Sequence, residues 1–358
     1  MKVCMTGGGT LGHILPGLAI YAFLPKETEV FWIGRKNVEE QKLIEKSNIR
    51  FYKVSSGKYR RYFSLLNFID FFKIINSYFQ CKRILKKEKP DVIFSKGGFV
   101  AVPVAWAASS LKIPIITHES DTTVGLATKL IAKKANLICT GFDVTAACLA
   151  STNQALIVTG NPVRTQLLHG DGATWKAKNN IPNEQKVVLV IGGSQGALKI
   201  NEAIRIGFPS ICEKCFLVLQ TGKGKLDPDY KCKNYKEVEF FDEDFADVLA
   251  AADIVVSRGG AGAIAELTAL KKPLILVPLG LNASRGDQIV NANKLMEANA
   301  AIVIDDYSLI VENIRALLDN SAIKDMLIQA ISKQEIKDAG KTIANLILKV
   351  GRNELFNC

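Results

Sequence analysis

Short apolar runs that end in glycine, proline or a polar residue alternate along this chain with longer segments of helical periodicity. The first six are KVCMTG, TEVFWIG, DVIFSKGG, IPIITHES, ANLICTGF and ALIVTGNP. Strands separated by helix-length segments indicate βαβ units and a parallel sheet, because parallel strands need a crossover connection that only a helix or long loop supplies. Between residues 160 and 178 the rhythm breaks at a proline-containing turn and then a polar stretch, KAKNNIPNEQK. It resumes with KVVLVIGGSQGALKIN, CFLVLQTG, VEFFDED, ADIVVSRGG, KPLILVPLG and AAIVIDD. This predicts two α/β domains, residues 1–160 and 161–340, with 341–358 as a terminal helix packing back on the first. At 358 residues and 48% hydrophobic content, the chain has enough apolar material for two cores.

Lys and Arg number 46 against 35 Asp and Glu, a net charge of +11. That excess points to an anionic partner: nucleic acid, an acidic membrane surface or a phosphorylated substrate. No nucleic-acid motif or aromatic stacking series accompanies it, so nucleic acid ranks last. The eight cysteines have no disulfide-framework spacing, which indicates reduced thiols in a reducing compartment. Cys212 and Cys215 lack a second ligand pair at zinc spacing, and there are only three histidines. The opening residues do not read as a secretory signal, since three glycines interrupt the first apolar run. The apolar segment Tyr62 to Phe79 contains Asp70 and Lys73 and does not qualify as a membrane span. The expectation is a soluble or peripheral protein.

Three glycine-rich turns carry the chemistry. In TGGGTLGHILPG, Gly7, Gly9 and Gly12 match G-x-G-x-x-G, yet the second strand ends in Gly34 and Arg35 with no acid to hold a ribose, which disfavours NAD. Arg35 would meet a 2′-phosphate, so an NADP-dependent oxidoreductase is a competing reading. The loop also offers backbone N–H groups at a helix N-terminus, a place for an anion such as pyrophosphate, with His13 at its edge. GGSQG, Gly192 to Gly196, repeats that physics in the second half. In SRGGAGAIAELTA, Glu266 lies where a carboxylate accepts both hydroxyls of a ribose. Asp242-x-Asp244 in FFDEDF is spaced like a metal-diphosphate site, although acids before an apolar helical run also read as an N-cap and first-turn charges.

GGGTLGH, SKGGFVAVPVAWAA, HESD, GNPVR, GGSQG, SRGGAGAIAE and GDQIVNA, in this order and spacing, resemble the MurG family of glycosyltransferases over nearly the whole chain. The resemblance implies a GT-B fold, two Rossmann-like domains facing across a cleft, and transfer of N-acetylglucosamine from UDP to undecaprenyl-linked lipid I, giving lipid II. It implies no cofactor and no protein-held metal, attachment to the cytoplasmic face of the membrane, and contact with cell-wall synthesis and division proteins. Carried over by position, Arg164, Gly193, Ser194 and Gln195 resemble donor diphosphate contacts, and Phe241 and Asp242 resemble neighbours of the uracil. Glu266 resembles the ribose acid, and Asp287 and Gln288 the reader of the sugar hydroxyls. Thr10, Gly12, His13, His118 and Asp121 resemble the acceptor side, with His13 or Glu119 as base. Leu11, Asp121 and Asp287 depart from the common family residues. A sugar-nucleotide-binding protein without turnover is the remaining alternative.

Overall fold

The computed structural model describes residues 1–55, 57, 66–152, 154–193, 196–281, 286–335 and 337–354, with backbone alone for 66–71. The chain divides into two compact units, Met1–Val163 with Lys337–Cys358, and Arg164–Ile336.

The first unit contains seven strands: β1 (Lys2–Thr6), β2 (Glu29–Arg35), β3 (Arg50–Val54), β4 (Val92–Ser95), β5 (Ile115–Glu119), β6 (Leu137–Thr140) and β7 (Ala155–Val158). They form one parallel sheet in the order β3-β2-β1-β4-β5-β6-β7. The second contains β8 (Val187–Ile191), β9 (Phe216–Gln220), β10 (Tyr235–Val238), β11 (Ile254–Ser257), β12 (Leu274–Leu276) and β13 (Ile302–Val303), parallel in the order β10-β9-β8-β11-β12-β13. Both orders reverse beside the first strand of the unit, at β1/β4 and β8/β11. Ligands of open α/β sheets bind outside the carboxyl ends of the strands at such a reversal.

The central strands are fully buried because helices cover both sheet faces. Val188, Val190, Leu217 and Val256 pack on one face of the second sheet, and Val187, Leu189, Val218 and Val255 on the other. In the first sheet one face includes Cys4, Ile33, Ile93 and Ile138. The opposite face carries Val3, Met5, Trp32 and Phe94, together with Ile343, Ala344, Ile347 and Val350 from the helix Ala339–Gly351.

Two strands depart from the sequence reading. β3 was not anticipated: it is an edge strand, with Arg50 and Lys53 exposed, so it lacks a continuous apolar run. The strand expected through VEFFDED lies earlier, at Tyr235–Val238.

In the helix Leu66–Glu88, Ser77, Cys81 and Leu85 are buried at four-residue spacing. The helical stripe Leu65, Phe68, Phe72, Ile75 and Phe79, with Phe63, Leu66, Ile69, Phe71 and Tyr78 on other faces, offers more apolar surface in sequence than one core contact needs, and Phe72, Ile75 and Phe79 are 58%, 38% and 62% exposed. Of the rest, Phe63, Leu65, Leu66, Phe68, Ile69 and Phe71 lie outside the described side chains, and Tyr78 is half-buried. Among the described residues no helix is long and apolar enough to cross a membrane.

Candidate active site

In the first unit β1 runs directly into Gly7, Gly8 and Gly9, and the helix Leu11–Tyr21 follows. The loop is packed from beneath: Trp32 Nε1 donates to the Gly7 carbonyl at 3.0 Å, and a Cβ on Gly8 would lie 2.9 Å from Glu40 Oε2. Thr10 occupies the N-cap, but its side chain makes no cap hydrogen bond and no acid follows in the first turn. The helix N-terminus therefore presents its positive end without a side-chain acceptor, an arrangement that favours an anion. One loop amide is already engaged, since Gly9 N–H donates to Glu40 Oε1 at 3.2 Å. The same oxygen accepts from Arg35 Nε at 2.7 Å. Arg35, on which the NADP reading rested, is thus paired with a buried carboxylate.

His13 lies in the first turn of that helix, half-buried, with Nδ1 3.2 Å from the Lys96 carbonyl oxygen. A carbonyl only accepts, so the neutral ring carries its proton on Nδ1 and its lone pair on Nε2. Gly98 makes room for this ring. A Cβ there would stand 3.2 Å from His13 Cδ2 and 2.5 Å from the Gly8 carbonyl, and its φ of +80° is itself unfavourable for a side chain. The two glycine turns, after β1 and after β4, meet at this point.

The other acceptor-side candidates separate by burial. Thr10 and Gly12 are exposed and Asp121 is half-buried. His118 has no exposed surface to offer a ligand: it sits inside β5, with Nε2 2.9 Å from the Gly160 carbonyl and Nδ1 without a hydrogen-bond partner. Burial, reinforced by the Lys96 cation and opposed by the Gly160 hydrogen bond, pushes its pKa well below the usual histidine range. His118 therefore shapes the loops as a neutral internal donor. Glu119, also buried, accepts from Asp121 N at 3.3 Å and Gly125 N at 3.0 Å, so both carboxylate oxygens hold the HESD loop. A base role for Glu119 would compete with that loop-holding role. Lys96, which the sequence reading passed over inside SKGG, is 2% exposed and donates to Ser120 Oγ at 2.6 Å. The signal was a lone cation between a strand end and a glycine pair.

In the second unit β8 leads through Gly192 and Gly193 to the helix Leu198–Cys212. Gly193 is exposed, with nothing within 4 Å of where a Cβ would be; Ser194 and Gln195 lie outside the described residues. A Cβ on Gly196 would meet the Thr221 carbonyl at 2.0 Å, so the turn requires glycine there. After β11, Gly260 precedes the helix Ala261–Ala269, again without a side-chain cap.

Glu266 on this helix is bound to Arg164: Nε donates to Oε1 at 2.6 Å and Nη2 to Oε2 at 2.9 Å. The side chains are 15% and 14% exposed. Two residues read separately from sequence, as diphosphate and ribose contacts, thus form one bidentate pair. Each carboxylate oxygen keeps a second lone pair for a hydroxyl. The Arg164 guanidinium also lies 5.4 Å from the Phe245 ring centroid, and Phe245 stacks on Phe241 at 5.9 Å.

Phe241 is 4% exposed, so its ring supports this stack from the core; the adjacent Phe240, 50% exposed, is the aromatic surface of the loop. Asp242 is exposed, and Asp244 takes an N-cap position without a side-chain cap bond. Among the described residues no group of three or more His, Cys, Asp or Glu side chains could hold a metal ion. Gln288 Oε1 accepts from Leu279 N at 3.0 Å, and half-buried Asp287 opens the helix Asp287–Glu297.

Two doubly wound parallel-sheet units, each with a glycine-rich turn at the carboxyl end of its first strand, define the fold class of the GT-B glycosyltransferases. Residues 3–140 match the glycosyltransferase family 28 N-terminal domain, and residues 187–347 match the glycosyltransferase family 28 C-terminal domain. The chain belongs to glycosyltransferase family 28.

A relative from Lachnospira eligens is 42% identical over 349 residues, 97% of this chain and 98% of that protein. One from Clostridium botulinum is 41% identical over 351 residues, with the same coverage. Both bear the name UDP-N-acetylglucosamine–N-acetylmuramyl-(pentapeptide) pyrophosphoryl-undecaprenol N-acetylglucosamine transferase. The crystal structure of Acinetobacter baumannii MurG, 23% identical, superposes with a TM-score of 0.71 over 97% of this chain and 99% of that one.

Proposed function

We propose that this chain transfers N-acetylglucosamine from UDP-N-acetylglucosamine to the C4 hydroxyl of the muramoyl residue of undecaprenyl-linked lipid I, forming lipid II. The observation that carries this reading is the near full-length identity of about two residues in five to relatives bearing that name. In the reaction the acceptor oxygen forms a bond to the anomeric carbon with inversion as the carbon–diphosphate bond breaks. The hydroxyl proton passes to a base, and UDP leaves with the electron pair.

His13 is the candidate base, with Thr10, Gly12 and Asp121 on the acceptor side. Arg164, Gly193, Ser194 and Gln195 would attend the donor diphosphate. The Phe240–Asp242 segment would lie beside the uracil, Glu266 would take the ribose, and Asp287 and Gln288 would read the sugar. Purified protein incubated with UDP-N-acetylglucosamine and a lipid I analogue should yield the disaccharide product and UDP in equal amounts. UDP binding without transfer would reduce the protein to a sugar-nucleotide binder.

The reading includes attachment to an anionic membrane surface. Exposed Phe72, Ile75 and Phe79 share a helix with exposed Arg83, Lys86 and Lys87, an apolar patch bordered by cations. Each basic residue near an anionic surface adds about 1 kcal/mol. The protein should sediment with vesicles containing anionic lipid at low salt and be released by high salt. Equal sedimentation with neutral and anionic vesicles at both salt concentrations would refute this.

A further inference from the structure

Resting on the donor reading above, we propose that Gln220 is a positioning residue of the donor site: from the end of β9 its side-chain amide engages the Gly193 carbonyl, so that the negative end of that dipole does not meet the donor diphosphate at the second glycine turn. Nε2 donates to the Gly193 oxygen at 3.3 Å, and Gln220 is 4% exposed. Gly196 N–H donates to the same oxygen at 3.0 Å, so both of its lone pairs are engaged. The register of the sheet puts Gln220 in reach, because it pairs with Ile191, the residue of β8 that enters the turn.

A glycine turn that receives an anion has a carbonyl problem. The helix Leu198–Cys212 starts without a side-chain cap bond or an acid in its first turn, so its positive end favours negative charge. Glycine lets an anion approach the backbone closely, but it exposes carbonyl oxygens as readily as N–H groups. Gly193 is exposed, has a φ of +82° and has nothing within 4 Å of where a Cβ would be, so no side chain shields its peptide groups. The Thr221 carbonyl, 2.0 Å from where a Gly196 Cβ would be, is engaged in the same manner: Asn201, 1% exposed, donates to it from Nδ2 at 2.9 Å. Two buried amides, one from β9 and one from the helix, thus each occupy a carbonyl bordering the turn. An amide supplies that donor without placing a net charge in the interior, where a lone ion would be costly.

Gln220→Leu keeps most of the bulk and removes the donor, whereas Gln220→Glu keeps the shape and substitutes a carboxylate. In calorimetric titrations at mildly alkaline pH without acceptor, Gln220→Leu should bind UDP-N-acetylglucosamine about three- to tenfold more weakly than the wild type. Gln220→Glu should bind it more weakly still, by about a further threefold or more, because like charges then approach across the turn. Uridine, which carries no phosphate, should bind to all three proteins alike. A packing role would give the opposite order, since glutamate is the closer match to glutamine in shape. Unchanged donor affinity in Gln220→Leu, equal losses of donor and uridine, or tighter donor binding by Gln220→Glu than by Gln220→Leu overturns the role of Gln220. Should one variant fail to fold, the split between donor and uridine in the other decides. Failure of the wild type to bind UDP-N-acetylglucosamine would instead overturn the donor reading on which this rests.

Discussion

His13→Ala lowers kcat by roughly 10²–10⁴-fold, the usual contribution of a positioned general base, and leaves UDP affinity unchanged. The expectation rests on the tautomer. Because Nδ1 faces the Lys96 carbonyl at 3.2 Å, the ring proton lies there and the basic lone pair is on Nε2, toward Gly98. Glu119→Gln is the informative comparison, since both Glu119 oxygens already accept backbone N–H groups and its loss should act on loop geometry before chemistry. A fall in kcat below tenfold, accompanied by a collapse of acceptor affinity, would make His13 a binding residue and move the search for a base to Asp121.

Glu266→Ala should weaken donor binding by about 1.5–3 kcal/mol, roughly ten- to a hundredfold in the donor KM, with the acceptor KM unaffected. A vicinal diol would lose its charged acceptor, and Arg164 would lose a bidentate partner and keep only the stack on Phe245. Titration of UDP by calorimetry separates this from any effect on turnover. Glu266→Gln, which keeps one acceptor oxygen, should fall between the variant and the wild type. Undiminished affinity of Glu266→Ala for UDP would remove Glu266 from the ribose site and leave it as the anchor of Arg164.

Central strands were the legible part of the fold. Runs such as VVLVI are buried on both faces, so their composition is uniformly apolar and a glycine pair marks their end. Edge strands were not legible in the same way. β3 carries exposed Arg50 and Lys53, and β10 carries Lys236 and Glu237, the latter held by Arg205 at 2.8 Å, so neither stands out from a loop.

The glycine turns were legible because close packing against Trp32, Glu40 and Thr221 leaves no space for a side chain. What escaped the sequence reading was pairing across the fold. Arg35 with Glu40, Arg164 with Glu266, and His118 with Gly160 are tertiary contacts, and no local spacing reports them. Phe240 and Phe241 lie past the end of β10, where no alternation of strand faces tells which of the two rings is buried.

The helix Ala339–Gly351 bears on the order in which the molecule can be made. It fills one face of the first sheet with Ile343, Ala344, Ile347 and Val350, and Gly340 passes so close to Phe23 that a Cβ would lie 2.6 Å from its ring. On the ribosome, β1 to β7 emerge first, yet the apolar face formed by Val3, Met5 and Phe94 has no cover from this helix until the whole of Arg164–Ile336 has been synthesised. The nascent first unit therefore waits half-clothed while the second folds, and a fragment ending at Val163 would be trapped in that state, prone to aggregate, unless residues 337–354 were supplied as a separate peptide.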